Sequence, residues 1–242
     1  MTLIPKKNEV YKDVEYWNKR YELEENNDWL LHYDSLSHLI TQYVKFTDKI
    51  LMLGCGNSLL SERMFKEGFN DITNIDYSNV VIDKMKNHCS ACSEMKWLCM
   101  DAKGLKFPDK DFDVVIEKAT IDSMMVEEKD PWNISQSTAN DIDLVLSEVS
   151  RVLKNGGHFV SITFAQPHFR GPLYNNSKFK WSFDKWELGN DFHYYFYVMT
   201  KGQSSSKEIF TYTPPVYTEI NSKTSFETEA TEDNFLFMIE GC

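Results

Sequence analysis

Residues 50–60, ILMLGCGNSLL, decide how the chain is read. An apolar run too short for a helix is broken by two glycines around one cysteine, and Leu59, Leu60, Met64 and Phe65 then follow at helical spacing up to Gly68. Strand, glycine turn and helix make one βα unit. Cys55 has no partner at metal-ligand spacing and no adjacent base, so it reads as a small loop residue whose backbone matters more than its thiol.

The pattern repeats outward. DITNID (71–76) ends in Asp76, MKWLCMD (95–101) ends in Asp101, FDVVIEK (112–118) ends in charge, and HFVSITF (158–164) is a fifth strand-length run. Between them lie helical spacings: Val80, Val81 and Met85 before His88, then Ile142, Val145, Val149 and Val152 before Asn155, Gly156 and Gly157, which predict a helix stop. Upstream, Tyr16, Trp17 and Tyr21, then Leu36, Leu39, Ile40, Tyr43 and Val44, predict helices within residues 11–45. Strands alternating with helices imply an α/β fold, a doubly wound, mostly parallel sheet with ligands at the carboxyl ends of its strands. After Gln166 the chain turns aromatic, and DFHYYFYVMT (191–200) predicts a late strand with KEIFTYT (207–213) as its antiparallel partner. Residues 221–233 are acidic and non-periodic, as in a flexible tail. The expected division is a helical lid over residues 1–45, a core over 46–213 and a C-terminal extension over 214–242.

Of 242 residues 42% are hydrophobic, enough for a packed core. The net charge of −11 repels nucleic acid and anionic membrane and attracts a basic protein partner. Five cysteines, an odd number, suit reduced thiols, and with no signal-like start the expected setting is cytoplasmic. Cys89 and Cys92 form a CxxC without a second ligand pair at suitable spacing, so no metal is expected there.

A dinucleotide loop places a third glycine where this chain has Leu59, which argues against a pyrophosphate ligand. Asp76, 22 residues after Gly54, stands where a carboxylate accepts from both ribose hydroxyls, and Asp101 where it faces an adenine. Aspartate also commonly follows a strand as a turn residue. Glycine, Asp and Asp at three successive strand ends describe a pocket for an adenosine without a 5′-phosphate. S-adenosylmethionine fits, its sulfonium favoured by carboxylates and aromatic faces.

With these residues in place the chain resembles the seven-strand S-adenosylmethionine-dependent methyltransferases. Within them, DVEYWNKRY, ILMLGCGNS, NIDYSNVVI, FDVVIEKATID, DPW, LSEVSRVLKNGG and AQPHFR look like the eukaryotic elongation factor 1-alpha lysine methyltransferase 4 group. The resemblance covers residues 11 to 202 and implies a seven-strand Rossmann-like sheet. It also implies cofactor contacts at Trp17, Tyr21, Trp29, Gly54, Asp76, Tyr77, Asp101, Ala102 and Lys118, with Gly56 beside them. The implied activity is protein-lysine methylation of elongation factor 1-alpha by a monomer. Methylation of a small metabolite and an inactive cofactor-binding module are the alternatives. Asp122 and Glu117, flanking the motif after the fourth strand, are expected to orient the incoming lysine, or else to brace the loop. The family motif there is Glu-Lys-Gly-Thr-Leu-Asp; Ala119 replaces its glycine and would resist a left-handed backbone.

Overall fold

Most of the apolar runs become strands buried on both faces, while residues 96–99 form an exposed sheet edge. In the computed structural model, which describes residues 5, 7–128, 133–189 and 192–203, the strands are β1 (Lys49–Leu53), β2 (Asp71–Asp76), β3 (Lys96–Cys99), β4 (Phe112–Lys118), β5 (Leu153–Thr163), β6 (Asp184–Leu188) and β7 (Tyr194–Thr200). They form one sheet in the order β3-β2-β1-β4-β5-β7-β6. β1 to β5 are mutually parallel, and β7 runs antiparallel to both β5 and β6. This is the expected doubly wound sheet with its late antiparallel strand. Strand order reverses between β1 and β4, so a ligand crevice is expected at their carboxyl ends.

Strand alternation divides the core. Ile50, Met52, Val114, Ile116, Val160 and Ile162 join one apolar cluster, while Leu51, Leu53, Val115 and Phe159 join the other. The helices α1 (Val14–Leu23), α2 (Tyr33–Tyr43), α3 (Leu60–Glu67) and α4 (Asn79–His88) contribute to the first cluster. The second takes α5 (Thr120–Met124), α6 (Gln136–Val152) and α7 (Pro167–Tyr174). Tyr11, Trp17, Tyr21 and Leu36 share their cluster with the sheet, so the N-terminal helices are built into the core. Lys84 fastens α1 to α4, donating to the carbonyls of Tyr21 at 2.7 Å and Glu24 at 2.6 Å.

Two expectations change. Asn155, Gly156 and Gly157 do not stop α6: the helix ends at Val152 and β5 begins at the next residue. The register of β5 on β4 jumps from Phe112 paired with Leu153 to Val114 paired with His158, so residues 154–157 bulge opposite Asp113. A Cβ on Gly157 would lie 2.7 Å from the Asp113 carbonyl oxygen, and Gly156 has φ +80°. The glycines therefore serve a strand bulge. Second, β7 pairs with β5 and with β6, whose sequence DKWEL alternates partly buried with exposed residues and carries no long apolar run. The proposed partner at 207–213, the tail at 221–233 and the extension from 214 lie outside the described residues.

Ala119 holds the left-handed conformation, φ 63° and ψ 2°, as the N-cap residue of α5. A non-glycine residue there costs on the order of 1 kcal/mol. Ala119→Gly is accordingly expected to raise the melting temperature by about 2–4 °C in calorimetry, the shift that about 1 kcal/mol gives a domain of this size. An unchanged or lower melting temperature would contradict the strain.

Candidate active site

At the carboxyl ends of β1, β2 and β4 lies a cavity of about 260 Å³. Its wall includes Trp17, Tyr21 and Trp29 from the N-terminal segment, Gly54 and Gly56 from the loop after β1, and Asp76 and Tyr77 after β2. Asp101, Ala102, Lys118 and Asp122 complete it. All the expected cofactor contacts thus meet in one place, with one of the two residues expected to orient substrate.

Each part is fixed by local chemistry. Gly54 has φ +63° and Gly56 φ +50°, and a Cβ on Gly54 would collide with the Thr120 side chain. Thr120 uses that space to donate from Oγ1 to the Leu53 carbonyl at 2.9 Å, locking the glycine loop to the start of α5. Gly54 is thus needed for α5 to approach as well as for the turn. Asp76 Oδ2 accepts from the Gly56 N–H and Oδ1 from the Ser78 N–H, each at 3.0 Å. The Tyr77 backbone N–H also supports the carboxylate. Burial pushes the Asp76 carboxyl up to about 6 against the opposing pull of these backbone donors. Asp101 Oδ1 accepts from the Lys103 N–H at 2.9 Å, so it holds a turn while lining the cavity. The half-buried Cys55 thiol lies beside Asp76, and desolvation followed by the Asp76 charge pushes its ionisation well above the ordinary range.

Trp17 and Tyr21, one turn apart on α1, stack with ring centroids 5.5 Å apart, and Trp17 Nε1 donates to the Tyr11 carbonyl at 2.7 Å. They are core aromatics and cavity wall at once. Lys118 Nζ donates to the Trp29 carbonyl at 2.7 Å and pairs with Asp28 at 3.4 Å. Asp28 also accepts from the Ser58 hydroxyl and from the Leu59 N–H at 3.2 Å. Sequence reading missed Asp28, whose only signal was its place before Trp29. Burial lowers Lys118's hold on its proton, and Asp28 offsets this in part.

Glu117 is the exception among the expected residues. Alternation along β4 sends Ile116 and Lys118 to the cavity side and Glu117 to the other face. Its carboxylate accepts from the Thr120 N–H at 3.0 Å, the Ile121 N–H at 3.3 Å and the Ser161 hydroxyl. Burial, then Asp122, pushes it up to about 7. Glu117 braces the start of α5 and does not line the cavity. Away from the cavity, Glu62, His88 and Cys89 bring ligand-type atoms within 4.8 Å of one another, with Glu62 also 2.6 Å from Lys66.

Comparison with known proteins bears on this geometry. Residues 51–161 match the family model described as a methyltransferase domain. The chain is 41% identical over 206 residues to the EEF1A lysine methyltransferase 4 of Mus musculus, covering 84% of this chain and 81% of that protein. The chain belongs to the EEF1A lysine methyltransferase 4 family. It is also 38% identical over 172 residues to the Homo sapiens eEF1A lysine and N-terminal methyltransferase, covering 69% of this chain but 24% of that longer protein. A solved S-adenosylmethionine-dependent methyltransferase from Methanosarcina mazei shares the fold at 19% identity and a TM-score of 0.52, covering 69% of this chain and 98% of that one.

The cofactor of this methyltransferase is S-adenosylmethionine. The residues present fit it. Asp76 is a carboxylate acceptor on the cavity wall, the glycine loop carries no side chain at Gly54 or Gly56, and Lys118 offers a cation to a carboxylate. Trp17, Tyr21 and Trp29 supply aromatic faces. Because its value lies near 6, Asp76 is neutral at lower pH and a better acceptor as pH rises. Affinity for S-adenosylhomocysteine, measured by calorimetric titration, is expected to strengthen as pH rises through about 6. Asp76→Asn should weaken it on the order of ten- to a hundred-fold at pH 7.5 and remove that dependence. A wild-type affinity flat from about pH 5 to 8 would contradict the assignment.

Proposed function

We propose that this methyltransferase modifies a lysine side chain of translation elongation factor 1-alpha. What carries the reading is the alignment with the mouse relative, which spans 81% of that protein and is 41% identical. The architecture supports a macromolecular acceptor. Among the described residues, none from 170 to 200 lines the cavity; β6 and β7 extend the sheet instead of closing an aromatic pocket for a metabolite. The net charge of −11 suits a basic protein partner and opposes nucleic acid. Ala119 keeps the left-handed backbone that the family glycine would have, so its substitution leaves the loop shape in place for catalysis. The four described cysteines are unpaired, which supports a cytoplasmic setting.

When bound, S-adenosylmethionine supplies a methyl group activated by its positive sulfonium. The chain itself binds, orients and excludes water. A lysine amine with a reference pKa near 10.4 carries a proton at pH 7, and freeing it costs roughly 4.6 kcal/mol. Aromatic walls at Trp29 and Phe164 disfavour the charged form, and Asp122 is a carboxylate on the same wall that can hold an amine N–H. Of the other wall carboxylates, Asp76 and Asp101 accept from backbone N–H groups and Asp141 pairs with Lys103 at 3.5 Å, which leaves Asp122 as the orienting group. Positioning then carries most of the rate.

The test is transfer of radiolabelled methyl from the cofactor to purified elongation factor 1-alpha, compared with a whole-cell extract. One labelled band at the mass of the factor, lost when a single lysine of it is changed to arginine, is the expected result. Label confined to other proteins or to small molecules would overturn the reading.

A further inference from the structure

The buried ion pair between Asp122 and Arg170 is only half used. Arg170, from α7, donates from one terminal nitrogen to Asp122 Oδ1 and points the other at Met125 Sδ. The Thr163 hydroxyl, at the end of β5, donates to the same Oδ1 at 2.6 Å. Asp122 Oδ2 and Arg170 Nε have no hydrogen-bond partner although both are buried. Arginine and carboxylate ordinarily meet through two parallel bonds. Here Thr163 shares Oδ1 and the second bond is not made, which leaves a spare acceptor on a residue that lines the cavity.

We propose that Arg170 and Thr163 are positioning residues that hold Asp122 Oδ2 as the acceptor for a primary alkylamine, the end of the substrate side chain. This rests on the protein-lysine reading above and adds the residues that set its geometry. The ligand has to be a hydrogen-bond donor, because an ionised carboxylate only accepts, and in the protein-lysine reading that donor is the amine N–H. Its place is on the substrate side of the cavity. Asp122 is held there by β5 and α7, whereas the cofactor's expected contacts come from the N-terminal segment and the ends of β1 to β4. The Arg170 guanidinium also neutralises much of the Asp122 charge. An ammonium or amine N–H beside the pair therefore meets an oriented acceptor, and the nearby guanidinium favours loss of the amine's proton before transfer.

Phe164 follows Thr163 directly and lines the same cavity, an apolar surface for the methylene stem of such a side chain. Glu117 and Tyr174 stand on the far side of the pair, joined through the Ser161 hydroxyl, which Tyr174 meets at 2.8 Å. That second layer fixes Ser161 and the start of α5 while leaving Oδ2 unpaired.

The experiment measures n-butylammonium binding to the protein loaded with S-adenosylhomocysteine by ligand-observed NMR. It is paired with calorimetric titration of S-adenosylhomocysteine and with methyl transfer to elongation factor 1-alpha. Thr163→Val and Arg170→Lys are each expected to weaken butylammonium binding and lower kcat on the order of ten-fold, with cofactor affinity unchanged. Thr163→Ser keeps the hydroxyl and should restore both. Thr163→Val keeps every charge, so the test survives even if Arg170→Lys does not fold. Equal butylammonium binding and kcat in Thr163→Val and wild type would overturn the proposal, and so would a loss confined to cofactor affinity, which would assign Oδ2 to the cofactor's own amino group. If the wild type binds butylammonium through these residues but leaves elongation factor 1-alpha unlabelled, the substrate reading fails and the positioning role stands. Labelling of the factor that is insensitive to Thr163→Val keeps the substrate reading and removes the positioning role.

Discussion

Everything at the cavity depends on one buried ion pair, Lys118 with Asp28. The two side chains are 5% and 8% exposed and join three pieces of chain far apart in sequence. Lys118 ends β4, Asp28 belongs to the segment after α1, and Asp28 holds the glycine loop through the Ser58 hydroxyl and the Leu59 N–H. Desolvating such a pair is costly, and a mutation that strands one partner typically costs about 3–5 kcal/mol. Its use is therefore geometric more than energetic. It fixes the segment bearing Trp29 against the sheet and sets a cation at the cavity wall.

The same economy governs the residues after β4. A left-handed turn at Ala119 starts α5, and Glu117 and Thr120 hold that start from opposite directions. Glu117 accepts from the first N–H groups of the helix, while Thr120 reaches back to the loop after β1. The result places Asp122 on the cavity wall with Ile121 in the core behind it. Alternation of side chains along β4 thus separates Lys118, which faces the ligand, from Glu117, which supports the helix.

The fold was legible because its signals are local. Short apolar runs ending in glycine or aspartate, with helical spacings between them, required a parallel sheet, and Gly54, Asp76 and Asp101 followed from where those strands end, whereas Trp17, Tyr21, Trp29 and Lys118 came only with the family resemblance. What stayed hidden depends on contacts across long sequence separations. β6 is a half-polar edge strand with no distinctive pattern. The glycines at 156 and 157 look like a helix stop because a bulge and a cap use the same residue type for the same conformational reason. Glu117 and Asp122 look equivalent in sequence, and only the facing of β4 distinguishes them. Asp28 and Arg170 act on residues 90 and 48 positions away, which no spacing rule reaches.

If Lys118 and Asp28 weld the N-terminal segment, the glycine loop and the end of β4 into one cofactor site, the two residues must act on ligand binding as a unit. A double-mutant cycle on S-adenosylhomocysteine affinity reads that coupling, using Asp28→Asn, Lys118→Gln and the double variant, each checked for folding by circular dichroism. Strong non-additivity is expected, with the double variant binding about as weakly as Lys118→Gln alone. Two independent, additive losses would show that the pair does not join the site.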